Sequence, residues 1–364
     1  MSFQSDDAQA AFQRVFGDDA AHWDRKTDRF TGGGVDLTHR PKFVLPGDSK
    51  IFCIGSCFAR SVEEFFILKG FDVLSKRASC PIEEWPSRPN GYLNKFTTHA
   101  MTQDLEWLVH SPLDFQETFC EDKGGWLDLQ LAPGMVVVPL ERCLERRQYV
   151  TEQYFPRIAN ADLVVLTLGL NEVWRDDDLG VWLNVAPSYH KVKTSKRYSF
   201  HSTDVLENIA QLERFRDIVK GFNPNVRMLV TVSPVPMSTT FSGKDIGVAN
   251  TLSKAVLRVA AESFCRRHDD VDYFPSFEMV TVRDHSKAYQ ADCLHVLPEV
   301  VRDVVGTAIR TYFDIADTPY PDFHEGSYLT ANPDIDKRVR AGDLESGYHH
   351  WLAVGREEGR PLGL

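Results

Sequence analysis

The chain has 364 residues, enough for one large or two medium domains. Apolar residues make up 43% and aromatic residues 11%, which supplies a full hydrophobic core and excludes a disordered chain. Its 41 basic and 52 acidic side chains leave a net charge of −11, which argues against a nucleic-acid or membrane-surface binder, because either needs a basic face.

Residues 1–45 read as an N-terminal arm, with an amphipathic helix near Ser5–Phe16, then Gly32-Gly33-Gly34, Pro41 and Pro46-Gly47. Lys50–Ile54 predicts the first central strand, Gly55-Ser56-Cys57 a sharp turn, and Ala59–Lys69 a helix. Phe71–Leu74 predicts a second short strand. Pro81, Pro86, Pro89 and Asn90-Gly91 mark a loop, and Thr98–His110 a helix; residues 111–140 fit neither the helical nor the strand period. Leu140–Ile158 reads as one helix. Asp162–Leu168 predicts a buried strand ending at Gly169-Leu170-Asn171-Glu172. The segment Tyr189–Phe200 carries Lys191, Lys193, Lys196 and Arg197 and reads as a solvated basic loop, with an anion contact as the alternative. Thr203–Phe222 predicts a long helix with Leu206, Ile209, Leu212, Phe215 and Val219 on one face. Arg227–Ser233 predicts a buried strand ending in Pro234-Val235-Pro236, Val248–Arg267 a helix, Val271–Phe274 a strand and Leu297–Asp314 a last helix.

Strands rich in β-branched residues, separated by long helices, predict a three-layer α/β/α domain with a mostly parallel, flavodoxin-like sheet over residues 46–316. Chemistry in such sheets collects at the carboxyl ends of the strands. The words at Gly55, Gly169 and Ser233 each follow a predicted strand. From about Pro319 the character changes. Residues 317–364, with Tyr328–Ile335 and His349–Arg360, read as a small helical module or as a helical hairpin packed on the main domain.

The cysteines at 53, 57, 80, 120, 143, 265 and 293 form no Cys-x-x-Cys pair and read as reduced thiols. Residues 1–30 are polar and acidic, with no apolar leader, and no window approaches the ~18 apolar residues of a membrane span. These features predict a cytoplasmic chain.

Four words can carry chemistry: Gly55-Ser56-Cys57, Asn90-Gly91-Tyr92-Leu93-Asn94, Gly169-Leu170-Asn171-Glu172 and Asp292-Cys293-Leu294-His295. A nucleophile at a strand-to-helix turn is exposed beside N–H groups that can hold an oxyanion. It needs a base, for which His295 is the candidate, and Asp292 three residues earlier can fix the tautomer of that base.

Gly55-Ser56-Cys57-Phe58-Ala59 spells the signature of the GSCFA family, which the chain resembles over about residues 50–310. That family is similar to the SGNH esterases and acyltransferases, whose words Gly-Asp-Ser, a glycine N–H donor, Gly-x-Asn and Asp-x-x-His have counterparts here in the same order. The resemblance implies an acyl-ester enzyme on an SGNH-like fold, esterase or acyltransferase, with Asp292 and His295 catalytic. Its oxyanion donors would be a backbone N–H near Cys57, the Gly91 N–H and the Asn171 amide, with Asn94, Glu172 and Ser233 completing the substrate-binding set. Read without a gap, Cys57 takes the nucleophile's place and Ser56 replaces an aspartate; Ser56 stays open as the alternative nucleophile. A thiolate attacks thioesters well, which favours acyl transfer from a carrier such as coenzyme A. The reading requires no cofactor and no metal, and admits acyl-coenzyme A as a co-substrate. An acylated sugar or polysaccharide precursor as substrate rests on family analogy. So does the similarity of the C-terminal segment to a repeat at the ends of bacterial glycosyltransferases. The partners implied are a small molecule or glycan, and a second copy or a glycan-biosynthesis protein through the C-terminal module. The contrasting reading is a non-catalytic binding or scaffold protein on the same fold. Asn250, Ser253 and Lys254 also match the family pattern, with no role assigned.

Overall fold

A computed structural model describes residues 7–16, 18–23, 37, 39–78, 80–87, 90–110, 114–314, 323, 325–341, 343–344, 347–356 and 358–363. Ser5, Gly32-Gly33-Gly34, Pro89 and Pro319, named above, lie outside the described residues.

The central sheet comprises β1 (Lys50–Gly55), β2 (Asp72–Val73), β3 (Leu163–Leu168), β4 (Arg227–Val232) and β5 (Val271–Tyr273). Its spatial order is β5-β4-β3-β1-β2, and every pairing is parallel. A wholly buried run such as Leu163–Leu168 demands cover on both faces. The main covering helices are α1 (Cys57–Leu68), α2 (Thr98–Val109), α3 (Val205–Phe222), α4 (Ile246–Cys265) and α5 (Pro298–Tyr312). Strand alternation divides the apolar side chains between two cores. Phe52, Ile54, Val164, Leu166, Met228 and Val230 pack with residues of α2, α3 and α4. Ile51, Cys53, Leu163, Val165 and Leu229 pack with residues of α1 and α5. The architecture is three-layer α/β/α, as the strand and helix alternation predicts. Strand order reverses between β1 and β3, and ligands of such sheets bind outside the carboxyl ends at that reversal. The register sets Gly55 beside Thr167 and Leu168 beside Val232, so the strand ends form one edge.

Several expectations change. Helix α1 starts at Cys57 rather than Ala59 because Ser56 caps it, its Oγ accepting from Phe58 N at 3.4 Å. The predicted helix Leu140–Ile158 divides into a helix Leu140–Tyr149, a π turn Val150–Tyr154 and a 3₁₀ segment Phe155–Asn160, where Pro156 lacks the N–H an α-helix would use. Residues 119–128 form a hairpin that turns at Lys123 and Gly124, both at positive φ (47° and 78°). A second sheet, Val181–Leu183, Glu172–Asp176 and Tyr198–Ser202 in that order, is antiparallel. The basic run is therefore ordered: Tyr189–Thr194 is a short helix, and Arg197 pairs with Asp176 at 2.5 Å.

Within the arm, Leu45–Pro46 pairs in parallel with Phe313–Asp314, and Lys42 N donates to Asp272 at 3.0 Å. The C-terminal helices Glu325–Ala331, Pro333–Arg340 and Gly347–His350 surround a cluster of Phe323, Tyr328, Ile335 and Trp351 that also contains Leu68 of α1.

Gly55 is needed for a steric reason. A Cβ there would lie 2.0 Å from Thr167 Oγ1 and 2.5 Å from Thr167 O, with φ at +153°. Gly55→Ala is expected to cost about 3 kcal/mol or more by denaturant titration; an unchanged unfolding midpoint would refute the close approach of β1 and β3.

Candidate active site

Strand β1 delivers the Gly55-Ser56-Cys57 turn to the carboxyl edge. Ser56 is buried, donates its hydroxyl to Ser233 Oγ at 3.0 Å and caps α1. Cys57, the first residue of α1, is half-buried. Of the two adjacent nucleophile candidates, the hydroxyl belongs to a buried residue and the thiol to a half-buried one. Ser233 follows β4, and its N–H donates to Leu168 O at 2.8 Å, which fixes its hydroxyl beside the turn.

The second word is held by a buried carboxylate that reading the sequence did not single out. Glu63 of α1 accepts from Asn90 Nδ2 (2.7 Å) and Ser75 Oγ (2.5 Å) and pairs with Arg60 at 3.0 Å. Burial raises the Glu63 pKa, while Arg60 opposes the rise. Gly91 then opens a single 3₁₀ turn, whose first N–H groups have no partner within the turn itself. Lys95 N donates to Gly55 O at 2.7 Å, so Asn94 stands next to the Gly55-Ser56-Cys57 turn. Asn94 Oδ1 is buried without a hydrogen-bond partner among the described residues.

The third word behaves differently from expectation. Gly169 permits close passage, since a Cβ there would lie 2.7 Å from Phe96 O. Asn171 Nδ2 donates to Thr203 O at 2.9 Å and Ser202 Oγ at 3.4 Å. Both amide hydrogens therefore hold the end of the antiparallel sheet, and the expected oxyanion role for this amide is corrected on that ground. Glu172 likewise accepts from Thr240 Oγ1 (2.5 Å) and Phe241 N (2.9 Å), tethering that loop instead of facing a substrate.

The fourth word forms the contact its spacing suggests. His295 Nδ1 lies 2.5 Å from Asp292 Oδ2, while Asp292 Oδ1 accepts from the N–H groups of Leu294 (2.9 Å) and His295 (3.0 Å). An ionised carboxylate only accepts, so Nδ1 carries the proton and Nε2 is left as the basic nitrogen. The His295 bond, followed by the two backbone bonds, lowers the Asp292 pKa to about 2. The carboxylate form therefore holds above that value and is lost only as pH falls towards it. Both residues are exposed, with side chains 56% and 42% accessible. Their loop is anchored by Tyr289, whose hydroxyl donates to Pro234 O at 3.0 Å, directly after Ser233.

Helix α4 closes the edge with polar residues that the sequence left without roles. Asn250 Oδ1 accepts from Met237 N at 3.1 Å, and Ser253 Oγ accepts from Asn171 N at 3.0 Å. Lys254 Nζ donates to Gly169 O and Val235 O, both at 2.8 Å. The signal was present: 250, 253, 254 and 257 share one helical face, and the last of them is the buried Leu257. Burial lowers the Lys254 pKa to about 7, with the charge of Cys57 opposing. No helix among the described residues is long and apolar enough to cross a membrane.

Comparison with curated proteins finds no match. The solved structures similar to this chain include a carbohydrate esterase family 3 protein from Talaromyces cellulolyticus, at 10% identity and TM-score 0.32, covering 71% of this chain and 94% of that one. Another is an acetyl esterase mutant with acetate ion, at 7% identity and TM-score 0.28, covering 71% and 93%. A third is the acetyl xylan esterase Est2A from the rumen bacterium Butyrivibrio proteoclasticus, at 12% identity and TM-score 0.31, covering 73% and 63%. The profile of the GSCFA family matches residues 50–307, from the first residue of β1 into α5 and across the whole edge described above, and the chain belongs to that family.

Proposed function

We propose that this chain is an acyl-ester enzyme in which Cys57 is the nucleophile and the His295–Asp292 couple moves the protons. The supporting observation is that couple, with Nδ1 and Oδ2 2.5 Å apart, on a loop tied through Tyr289 to the segment beside Ser56 and Ser233. Cys57 Sγ attacks the acyl carbon, and N–H groups at the start of α1 and at Gly91 hold the developing oxyanion. His295 Nε2 takes the thiol proton as Sγ attacks and passes it to the leaving alkoxide, which leaves a thioester on Cys57. It then takes a proton from water or an acceptor alcohol, whose oxygen releases the acyl group and expels the thiolate. Asn94, with its unpartnered buried Oδ1, is the candidate acceptor for a substrate N–H or O–H.

The finer parts of the reading have different supports: an acylated sugar or polysaccharide precursor as substrate, and a second copy or glycan-biosynthesis protein as partner of the C-terminal helices, rest on resemblance; acyl-coenzyme A as a donor in the transferase version rests on thiolate chemistry; a cytoplasmic site of action rests on cysteines that form no Cys-x-x-Cys pair.

The test is incubation with an activated acetyl ester and with acetyl-coenzyme A, followed by peptide mass spectrometry. The expected result is an acetyl group on Cys57, with turnover in His295→Ala reduced by about 10²–10⁴-fold. An adduct on Ser56 would move the nucleophile. Absence of both adduct and turnover would favour the non-catalytic binding protein.

A further inference from the structure

A buried hydrogen-bond donor is normally given an acceptor. Two side chains on the flank of the second word depart from that rule, and they share a cavity of about 200 Å³. Arg142, Arg146 and Tyr149 line it from the helix Leu140–Tyr149, Tyr92 from the 3₁₀ turn Gly91–Leu93, and Cys80 from the loop between them. A water's share of liquid volume is about 30 Å³, so the space holds a group of several heavy atoms.

Glu84 grips both guanidiniums. Its oxygens accept from Arg142 Nε (2.7 Å) and Nη2 (3.1 Å), from Arg146 Nε (2.8 Å) and from the Cys80 thiol (3.6 Å). The Arg142 bonds above all lower the Glu84 pKa, which keeps the carboxylate ionised. Arg142 also donates Nη1 to Glu145, an exposed carboxylate at the rim, at 2.9 Å. Arg146 is left incomplete. It is 6% exposed and makes one hydrogen bond among the described residues, through Nε. Its Nη2 lies 2.8 Å from Glu84 Oε2 without forming a hydrogen bond. A guanidinium carries five N–H groups, so most of this fork is unused. Tyr92 is 3% exposed, and its hydroxyl makes no hydrogen bond among the described residues. Burial raises its pKa, so the phenol keeps its proton and remains a donor. Tyr149, by contrast, donates its hydroxyl to Arg77 O at 3.2 Å.

The cavity is therefore rich in donors and short of acceptors, and its two guanidiniums share one gripping carboxylate. Oxygen atoms that carry negative charge match that arrangement, and guanidinium forks bind them strongly. We propose that the cavity binds a small oxyanion, a carboxylate or phosphoryl group borne by a metabolite, with the Arg146 fork and the Tyr92 hydroxyl as its donors and Arg142 as the second positive charge. The acyl-enzyme reading uses none of these side chains, so the site stands apart from it. The two meet at one turn. Tyr92 follows Gly91, and Trp85, next to Glu84, closes over that glycine, where a Cβ would lie 3.1 Å from Trp85 Nε1. An occupant bonded to Tyr92 therefore bears on the turn that carries Gly91.

Cys80 lines the cavity and reports its occupancy. The full chain is alkylated with iodoacetamide in inorganic phosphate, acetate or chloride at equal ionic strength, and each cysteine is followed by peptide mass spectrometry, with exposed Cys293 as reference. Phosphate or acetate is expected to slow Cys80 at least about fivefold, half of the effect being reached at about 1 mM or below, and to leave Cys293 unchanged. The anion that protects at the lower concentration tells a phosphoryl from a carboxylate ligand. Tyr92→Phe keeps the ring and should raise the half-protecting concentration by about tenfold, because one bond to a charged acceptor is lost. Arg146→Met should abolish protection. Chloride protecting as well as the oxyanions, or an unchanged half-protecting concentration in Tyr92→Phe, overturns the proposal. If Arg146→Met does not fold, Tyr92→Phe decides alone. Burial pushes the Cys80 thiol up to about 11, so where it proves unreactive, calorimetric titration of the same anions into wild type and Tyr92→Phe takes its place. Saturable heat that weakens about tenfold in the variant supports the site, and no saturable heat overturns it. Neither readout needs turnover, so failure of the acyl-enzyme reading leaves this result intact, and the reverse holds.

Discussion

Cys57→Ala is expected to fold normally and to lose about 10⁴-fold or more in kcat/KM on an activated acetyl ester, because a missing nucleophile is not replaced by binding or by the oxyanion donors. Ser56→Ala should do the reverse. It removes a helix cap and the Ser233 hydrogen bond, costing about 1–2 kcal/mol of stability, and lowers turnover only a few-fold. The two substitutions occupy neighbouring positions on one turn, so the contrast isolates the reacting atom from the scaffold that holds it. Turnover surviving in Cys57→Ala but lost in Ser56→Ala would reverse the assignment. Thermal unfolding of each variant, run beside the kinetics, separates loss of chemistry from loss of fold.

The largest expected effect on stability lies one shell away, at Asp104. Lys95, Asp104, Arg147 and Asp128 form a buried network in which side-chain exposure does not exceed 1%. Arg147 bridges Asp104 at 2.7 Å and Asp128 at 2.5 Å, and Lys95 also donates to Gln130 O. The two positive and two negative charges balance. Asp104→Asn leaves two cations facing one anion away from water, a loss of about 3–5 kcal/mol by urea titration. The loss should shrink at high pH. Burial holds the Lys95 pKa below its ordinary value, so between the folded and unfolded pKa values the unfolded chain binds more protons. Stability then rises with pH across that window. Urea midpoints at about pH 7 and about pH 10 measure both effects. A midpoint equal to wild type at the lower pH would show that the network does not hold the chain. Because Lys95 N donates to Gly55 O, loosening it also disturbs the Gly55-Ser56-Cys57 turn.

Much of the frame was legible in the residues. β3 and β4 lie within one residue of their expected bounds, and β1 runs one residue further, to Gly55. A run of six apolar or β-branched residues has few places to go except the middle of a covered sheet. The single face of Leu212, Phe215 and Val219 likewise placed α3 against that sheet. The spacing of Asp292 and His295 was enough to anticipate their contact, because both lie on one short turn. The short antiparallel strands 172–176, 181–183 and 198–202 carry no such signal: half-buried and only three to five residues long, they are specified by one another across the turn that Asn171 holds.

What the sequence determined by itself was therefore local: strand runs, helix faces, turn residues and the order of the four words, all dictated by periodicity and by which residue types tolerate burial. What only the tertiary structure decided was the fate of the polar side chains. Glu63 and Lys95 were not singled out along the chain and Lys254 carried no role there, yet each is buried. The amide of Asn171 reads as an oxyanion donor, yet faces a carbonyl. A charge or an amide can be buried wherever a distant segment brings a partner, and those partners lie 27 residues away for Glu63 with Asn90, 85 for Lys254 with Gly169, and 32 for Asn171 with Thr203. That separation is invisible to any local pattern, because the energy that permits the burial exists only once the strand ends meet.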